Sequence, residues 1–287
     1  MIDTLAIDIG GTKIDAARVD SEGRILERYR LPTEGANAEE LFDGLVTLVE
    51  PLLAGGALGG CGVGCGGPMI SGGEEVSPLN IPQWRSFPLR ARLADRLGMA
   101  VVVDNDAKAF ALAEGRLGAA AGTSDYIALV VSTGVGAGIV VDGRLLHGRL
   151  GNAGHIGHVV VESDGPPCAC GGRGCLEALA SGSALERVLG YPPAQAPDEV
   201  RRRTGRLVGR ALGTVVNLLD LRLAVVGGSV ALGFGDTFFE EAQAELDARA
   251  GLDFTDGFRV VPAGLGGDGP LVGAAEVWRH SARPVGP

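Results

Sequence analysis

TLAIDIGGTKIDAARVD, Thr4–Asp20, alternates apolar and polar residues, halts at Gly10-Gly11 and resumes as a second alternating run. This pattern predicts two strands joined by a tight glycine turn whose backbone amides face outward, a place for anionic oxygens. An ordinary hairpin turn has the same signature. A Walker loop, G-x-x-x-x-G-K-[ST] entering a helix, does not match. Asp8, just ahead of the glycines, is placed to hold a hydrated Mg2+ beside phosphates, with Gly10, Gly11, Thr12 and Lys13 forming the turn. The same design returns at DYIALVVSTGVGAGIVVDGRLL, Asp125–Leu146. There Ser132, Thr133, Gly134 and Gly136 would offer hydroxyls and amides to phosphate oxygens. Either turn alone is weak evidence. Together they predict a duplicated α/β domain with a nucleotide between the copies.

A second stretch, HIGHVVVESDGPPCACGGRGCLE (His155–Glu177), holds two of the four histidines and three of the five cysteines. His158, Cys168, Cys170 and Cys175 form an H-x9-C-x-C-x4-C series. One imidazole and three thiolates complete a tetrahedral set, the usual coordination of structural zinc. A loop this rich in Gly and Pro has little core of its own, so a metal would supply its rigidity. Three unrelated buried thiols are the alternative, and the spacing beside a histidine argues against it. Cys61 and Cys65, four apart rather than C-x-x-C, read as packed thiols.

The chain of 287 residues is long enough for two domains. A net charge of −10 would repel phosphate backbones and anionic membranes, so neither nucleic acid nor membrane is an expected partner. The run at Leu5 is broken by Asp8 and lacks a basic leader, so no signal segment is expected. Clustered metal-type cysteines point to a reducing cytoplasm. Ala38–Leu53 reads as a helix with Leu41, Leu45, Leu48 and Leu52 on one side. Leu89–Leu97 reads as a short helix, Ala100–Val103 as a strand and Ala107–Leu117 as a helix. DNDA lies at that strand's carboxyl end, where open α/β sheets bind ligands. One of its polar residues suffices to cap the helix. Asp106 is therefore assigned as general base, taking the proton of an acceptor hydroxyl, with Asn105 bonding a neighbouring hydroxyl. Glu114 reads as a solvated face or a supporting partner. Further on, Thr204–Leu219 reads as a helix and Leu223–Ala231 as a buried strand ending in Gly-Gly.

CACGGRGCLE (Cys168–Glu177), with DIGGTK and DNDA, resembles the ROK family of sugar kinases and sugar-responsive repressors, along the whole chain. The resemblance implies two actin-like (ribonuclease-H-like) α/β domains around a central cleft, with the zinc loop in the larger. Expected bounds are 1–106, completed by a C-terminal helix over 270–287, and 107–269. It implies an ATP-dependent kinase phosphorylating a hexose or amino-hexose hydroxyl, at C6, with ATP, Mg2+ and structural Zn2+, working as a homodimer. Asn105-Asp106 match the family's catalytic pair. Gly66 and Gly67 would approach the sugar, Asn80 of NIPQW would meet it, and His158 and Glu177 would bond its anomeric end. Gly227 and Gly228 would admit adenosine, although a tight βα turn explains them as well. AGHIGH departs from the pattern, placing His155 where the family carries glutamate. A neutral imidazole offers one donor and one acceptor instead of two acceptors, which suits a sugar altered near C1 or C2, such as an N-acylated amino sugar. Simple repacking around His155, with glucose retained, is the other outcome. A non-catalytic sugar sensor is the alternative function. It would not need Asp106, and no helix-turn-helix is expected ahead of Asp8.

Overall fold

A computed structural model describes residues 2–282. The elements run β1 (Asp3–Ile9), β2 (Lys13–Val19), β3 (Ile25–Pro32), α1 (Ala38–Leu53), β4 (Leu58–Cys65), α2 (Leu89–Leu97), β5 (Val101–Asn105), α3 (Asp106–Leu117). Then come β6 (Tyr126–Val131), β7 (Val135–Val141), β8 (Arg144–Leu145), α4 (Leu176–Ala180), α5 (Gly182–Leu189) and α6 (Asp198–Leu219). β9 (Leu223–Gly227), α7 (Ser229–Phe234), α8 (Asp236–Asp247), β10 (Arg259–Pro262) and α9 (Gly269–Ser281) complete the chain.

Two compact units result. Of the described residues, one takes 2–113, His147–Ala153 and 267–282; the other takes Glu114–Leu146 and Gly154–Gly266. The first holds a sheet in the order β3-β2-β1-β4-β5, antiparallel from β3 to β1 and parallel from β1 to β5. The second holds β8-β7-β6-β9-β10 with the same sense at every pairing. The duplication expected from the two glycine turns is present strand for strand.

In the first unit Leu5, Ile7, Ile9, Val63 and Val103 face α1 and α2 and form its main core. Asn37 starts α1 by accepting the N–H groups of Glu39 and Glu40. The predicted leucine stripe of α1 is buried. The opposite sheet face carries Ala6, Ala17, Gly60 and Gly62, and small residues there let α9 pack close. A Cβ on Gly62 would lie 1.9 Å from the Ala274 carbonyl oxygen, so no larger residue fits this spacing. In the second unit Ile127, Leu129 and Val226 pack under α6 and α8 through Leu207, Val208, Leu212 and Phe238.

Some boundaries shift. α6 begins at Asp198, because its first turns are polar and the apolar period starts only at Thr204. β9 stops at Gly227 and α7 starts at Ser229, since Gly228, at φ 96°, turns the chain. Asp104 and Asn105 lie inside β5, and α3 starts at Asp106. Residues 283–287 of the predicted terminal helix lie outside the described residues. Among those described, no helix is long and apolar enough to cross a membrane.

Candidate active site

The first unit gathers one group of predicted residues at the carboxyl ends of β1, β4 and β5. Asp8, Gly64 and Asp104 sit side by side in register, so Asp8 and Asp104 project from one face of the sheet. A methyl group added to Gly64 would lie 3.7 Å from Asp8 Oδ1 and 3.5 Å from the Asp106 Cα, so both predicted residues border this glycine. Burial, then the charge of Asp106, push the Asp8 carboxyl up to about 7. Burial also raises Asp106, against the lowering effect of the Ala107 N–H it accepts. Asn105 Oδ1 accepts that same N–H at 3.1 Å, so its oxygen caps α3.

The first glycine turn is closed by Gly10 N–H donating to the Lys13 carbonyl at 3.0 Å, and Thr33 Oγ1 donates to the Gly10 carbonyl. A Cβ on Gly11 would come within 2.6 Å of Asn80 Cβ, so the predicted phosphate turn and sugar loop touch. Leu79 N–H donates to the Gly67 carbonyl, bringing Gly66-Gly67 beside that loop. Thr12 is exposed. Lys13 turns its ammonium 3.3 Å from Asp15 Oδ2. Trp84 is fully buried and stacked on Phe87, a packing anchor.

The second unit gathers the other group. Ser132 N–H donates to the Gly134 carbonyl and closes the second glycine turn. Ser132 Oγ lies 3.0 Å from Ser229 Oγ, joining this turn to the Gly227-Gly228 segment. The Thr133 carbonyl accepts from Ser183 N–H at the start of α5. Glu177 Oε2 accepts the Val135 N–H at 2.9 Å, and a Cβ at Gly134 would lie 2.9 Å from the same oxygen. Gly136 lies within β7.

His158, Cys168, Cys170 and Cys175 offer donor atoms all within 4.8 Å of one another. Cys170 and Cys175 sulfurs are 3.8 Å apart, and Cys168 sulfur is 3.6 Å from His158 Nδ1. Sulfurs bound at about 2.3 Å to a tetrahedral zinc stand about 3.8 Å apart, so the set fits that ion. The ring of His155 lies 6.0 Å from that of His158, and His155 is exposed.

A family model described as "ROK family" matches residues 4–281. The chain belongs to the ROK family. An N-acetylmannosamine kinase of Citrobacter koseri is 39% identical, covering 81% of this chain and 85% of that protein. A glucokinase of Thermotoga maritima is 31% identical, over 95% and 96%. A ROK glucokinase from Streptomyces griseus, solved with glucose and AMPPNP, is 33% identical, with a TM-score of 0.86 over 97% of this chain and 99% of that one.

For this ROK chain, Glu114 takes the second of its two expected roles, a supporting partner: it is fully buried and accepts N–H groups of Ala119, Gly264 and Leu265. Sequence reasoning missed other supporting residues. Ser229 directly follows Gly227-Gly228; the serine after the glycine pair was its available signal. Lys108 and Asn152 hold the segment His147–Ala153 in place, and nothing local to either residue announces that. Cys61 and Cys65 are packed thiols as expected, both fully buried.

Proposed function

We propose that the protein is an ATP-dependent sugar kinase that transfers the γ-phosphoryl group to a hexose or amino-hexose hydroxyl, at C6. What carries this is the carboxylate of Asp106 opening α3 next to Asp8. As an ionised base, Asp106 takes the proton of the acceptor hydroxyl while that oxygen bonds to the γ-phosphorus and ADP leaves. Asn80 and Asn105, with Gly66 and Gly67 leaving room for the ring, orient the sugar. Gly10, Gly11, Thr12 and Lys13 would offer amides and side-chain donors to phosphate oxygens, and Ser132, Thr133, Gly134 and Gly136 would offer hydroxyls and amides to them. Gly227 and Gly228 leave space for adenosine. Asp8 suits Mg2+, since a buried carboxyl beside a second carboxyl gains most from a cation. Bound there, Mg2+ would neutralise charge on the phosphoryl oxygens. With zinc held through Nδ1, His158 keeps Nε2 for a sugar hydroxyl. Glu177, already oriented by the Val135 amide, would accept from another near the anomeric carbon.

His155 directs the choice of sugar. An imidazole in place of a carboxylate removes negative charge and adds a donor, which favours an N-acyl group at C2. The 39% identity to an N-acetylmannosamine kinase supports this preference. The test is turnover with ATP and Mg2+ against glucose, mannose, N-acetylglucosamine, N-acetylmannosamine and 3-amino-3-deoxyglucose. An N-acyl hexosamine should show the highest kcat/KM; glucose at the head of the panel would reject the role given to His155. No turnover with any sugar would favour the sensor instead.

A further inference from the structure

Lys108 is fully buried in the first turn of α3, two residues after Asp106. A cation is poorly placed there. Burial favours the neutral amine, and the helix N-terminus repels positive charge. Its counter-charge is Asp104, whose Oδ1 lies 3.5 Å from Nζ. Nζ also donates to the Gly151 carbonyl at 2.6 Å and the His147 carbonyl at 3.3 Å. Both carbonyls belong to the strap His147–Ala153, which Ala153 N–H closes by donating to the His147 carbonyl. Asp104 Oδ2 faces His147 Nδ1 at 3.5 Å. Asn152 grips a second point: its Oδ1 accepts Met69 N–H at 3.2 Å, and its Nδ2 donates to the Met69 carbonyl at 2.9 Å. Met69 follows the Gly66-Gly67-Pro68 turn, and the strap runs on through Gly154 into His155. The strap is thus bonded to the helix that opens with Asp106 and to the loop after the candidate sugar glycines.

We propose that Lys108 is a positioning residue for the acceptor sugar, its ammonium clamping the strap His147–Ala153 to the first turn of α3. Resting on the kinase activity proposed above, this makes Asp106, the Gly66-Gly67 turn and the chain leading into His155 parts of one block. Loss of the clamp loosens the sugar's surroundings and leaves the phosphate turns alone. Three variants test this: Lys108→Met, which removes all donors; Lys108→Gln, which keeps amide donors without charge; and Asn152→Ala, which releases the strap at its other grip.

In Lys108→Met the sugar KM should rise about tenfold, while kcat and the KM for Mg·ATP change by less than about twofold. Lys108→Gln should fall between wild type and Met. Asn152→Ala should raise the sugar KM in the same way, and the Lys108→Met/Asn152→Ala double variant should add little to the larger single effect. If Lys108→Met fails to fold, the other two single variants decide. Folded variants with an unshifted sugar KM, or with kcat and both KM values damaged alike, overturn the proposal. Wild-type protein that phosphorylates no sugar rejects the kinase activity and the clamp's role with it; wild-type turnover with unshifted variants rejects the clamp alone.

Discussion

Around Asp8, burial and the charges of Asp106 and Asp15 act in one direction, outweighing Lys13 and Arg28 and pushing the carboxyl from 3.8 up to about 7. Because the folded state holds a proton that the unfolded chain releases, Asp8 makes stability fall as pH rises from 3.8 to about 7. Mg2+ bound at Asp8, as proposed, would need the ionised form, so proton and cation would compete. In the metal-bound assay kcat/KM for ATP is therefore expected to rise as pH climbs towards about 7, with added Mg2+ moving the midpoint down. Asp106→Asn should lower kcat by about 10²–10⁴-fold with sugar affinity nearly intact, and should bring the Asp8 midpoint down by removing a neighbouring charge. A pH profile flat through that range, or unchanged turnover in the Asn variant, rejects the assignment.

At the scale of elements, the loop from Val159 to Cys175 contains no helix or strand, only isolated bridges from Val160 to Cys175 and from Pro167 to Arg173. Its turns are tight. Gly174 has φ 69°, and a Cβ there would lie 1.6 Å from the Glu162 carbonyl oxygen. With so little apolar burial of its own, the loop would draw its order from a bound metal, and ion binding would become folding free energy. Cys170→Ser should release zinc and lower Tm, read by elemental analysis and a thermal melt. Purified wild-type protein without zinc, or a Ser variant equal to it in both measurements, would count against the centre. The ligand spacing in this loop was legible because all three cysteines lie within eight residues.

At the scale of the whole molecule, the last helix completes the first sheet. α9 lies on β4 through Gly60 and Gly62, where Trp278 and the Ala274 carbonyl occupy the space any side chain would need. Gly62→Ala should cost about 1–3 kcal/mol by overpacking, seen as a lower denaturation midpoint at unchanged zinc content. Wild-type stability in this variant would mean that α9 can shift without loss. By itself the sequence determined the paired strand–turn–strand units, the leucine stripe of α1, the clustering of His158 with three cysteines and Asp106 at a strand end. Each is written within a short stretch, as a period of 2 or 3.6 or as a ligand spacing. Tertiary structure alone decided that Lys108 reaches a carbonyl 43 residues away, that Glu177 orients an amide 42 residues back, and that Glu114 caps one 150 residues on. Such partners meet only where the chain returns, and no local pattern records where a distant carbonyl or amide will be left needing one.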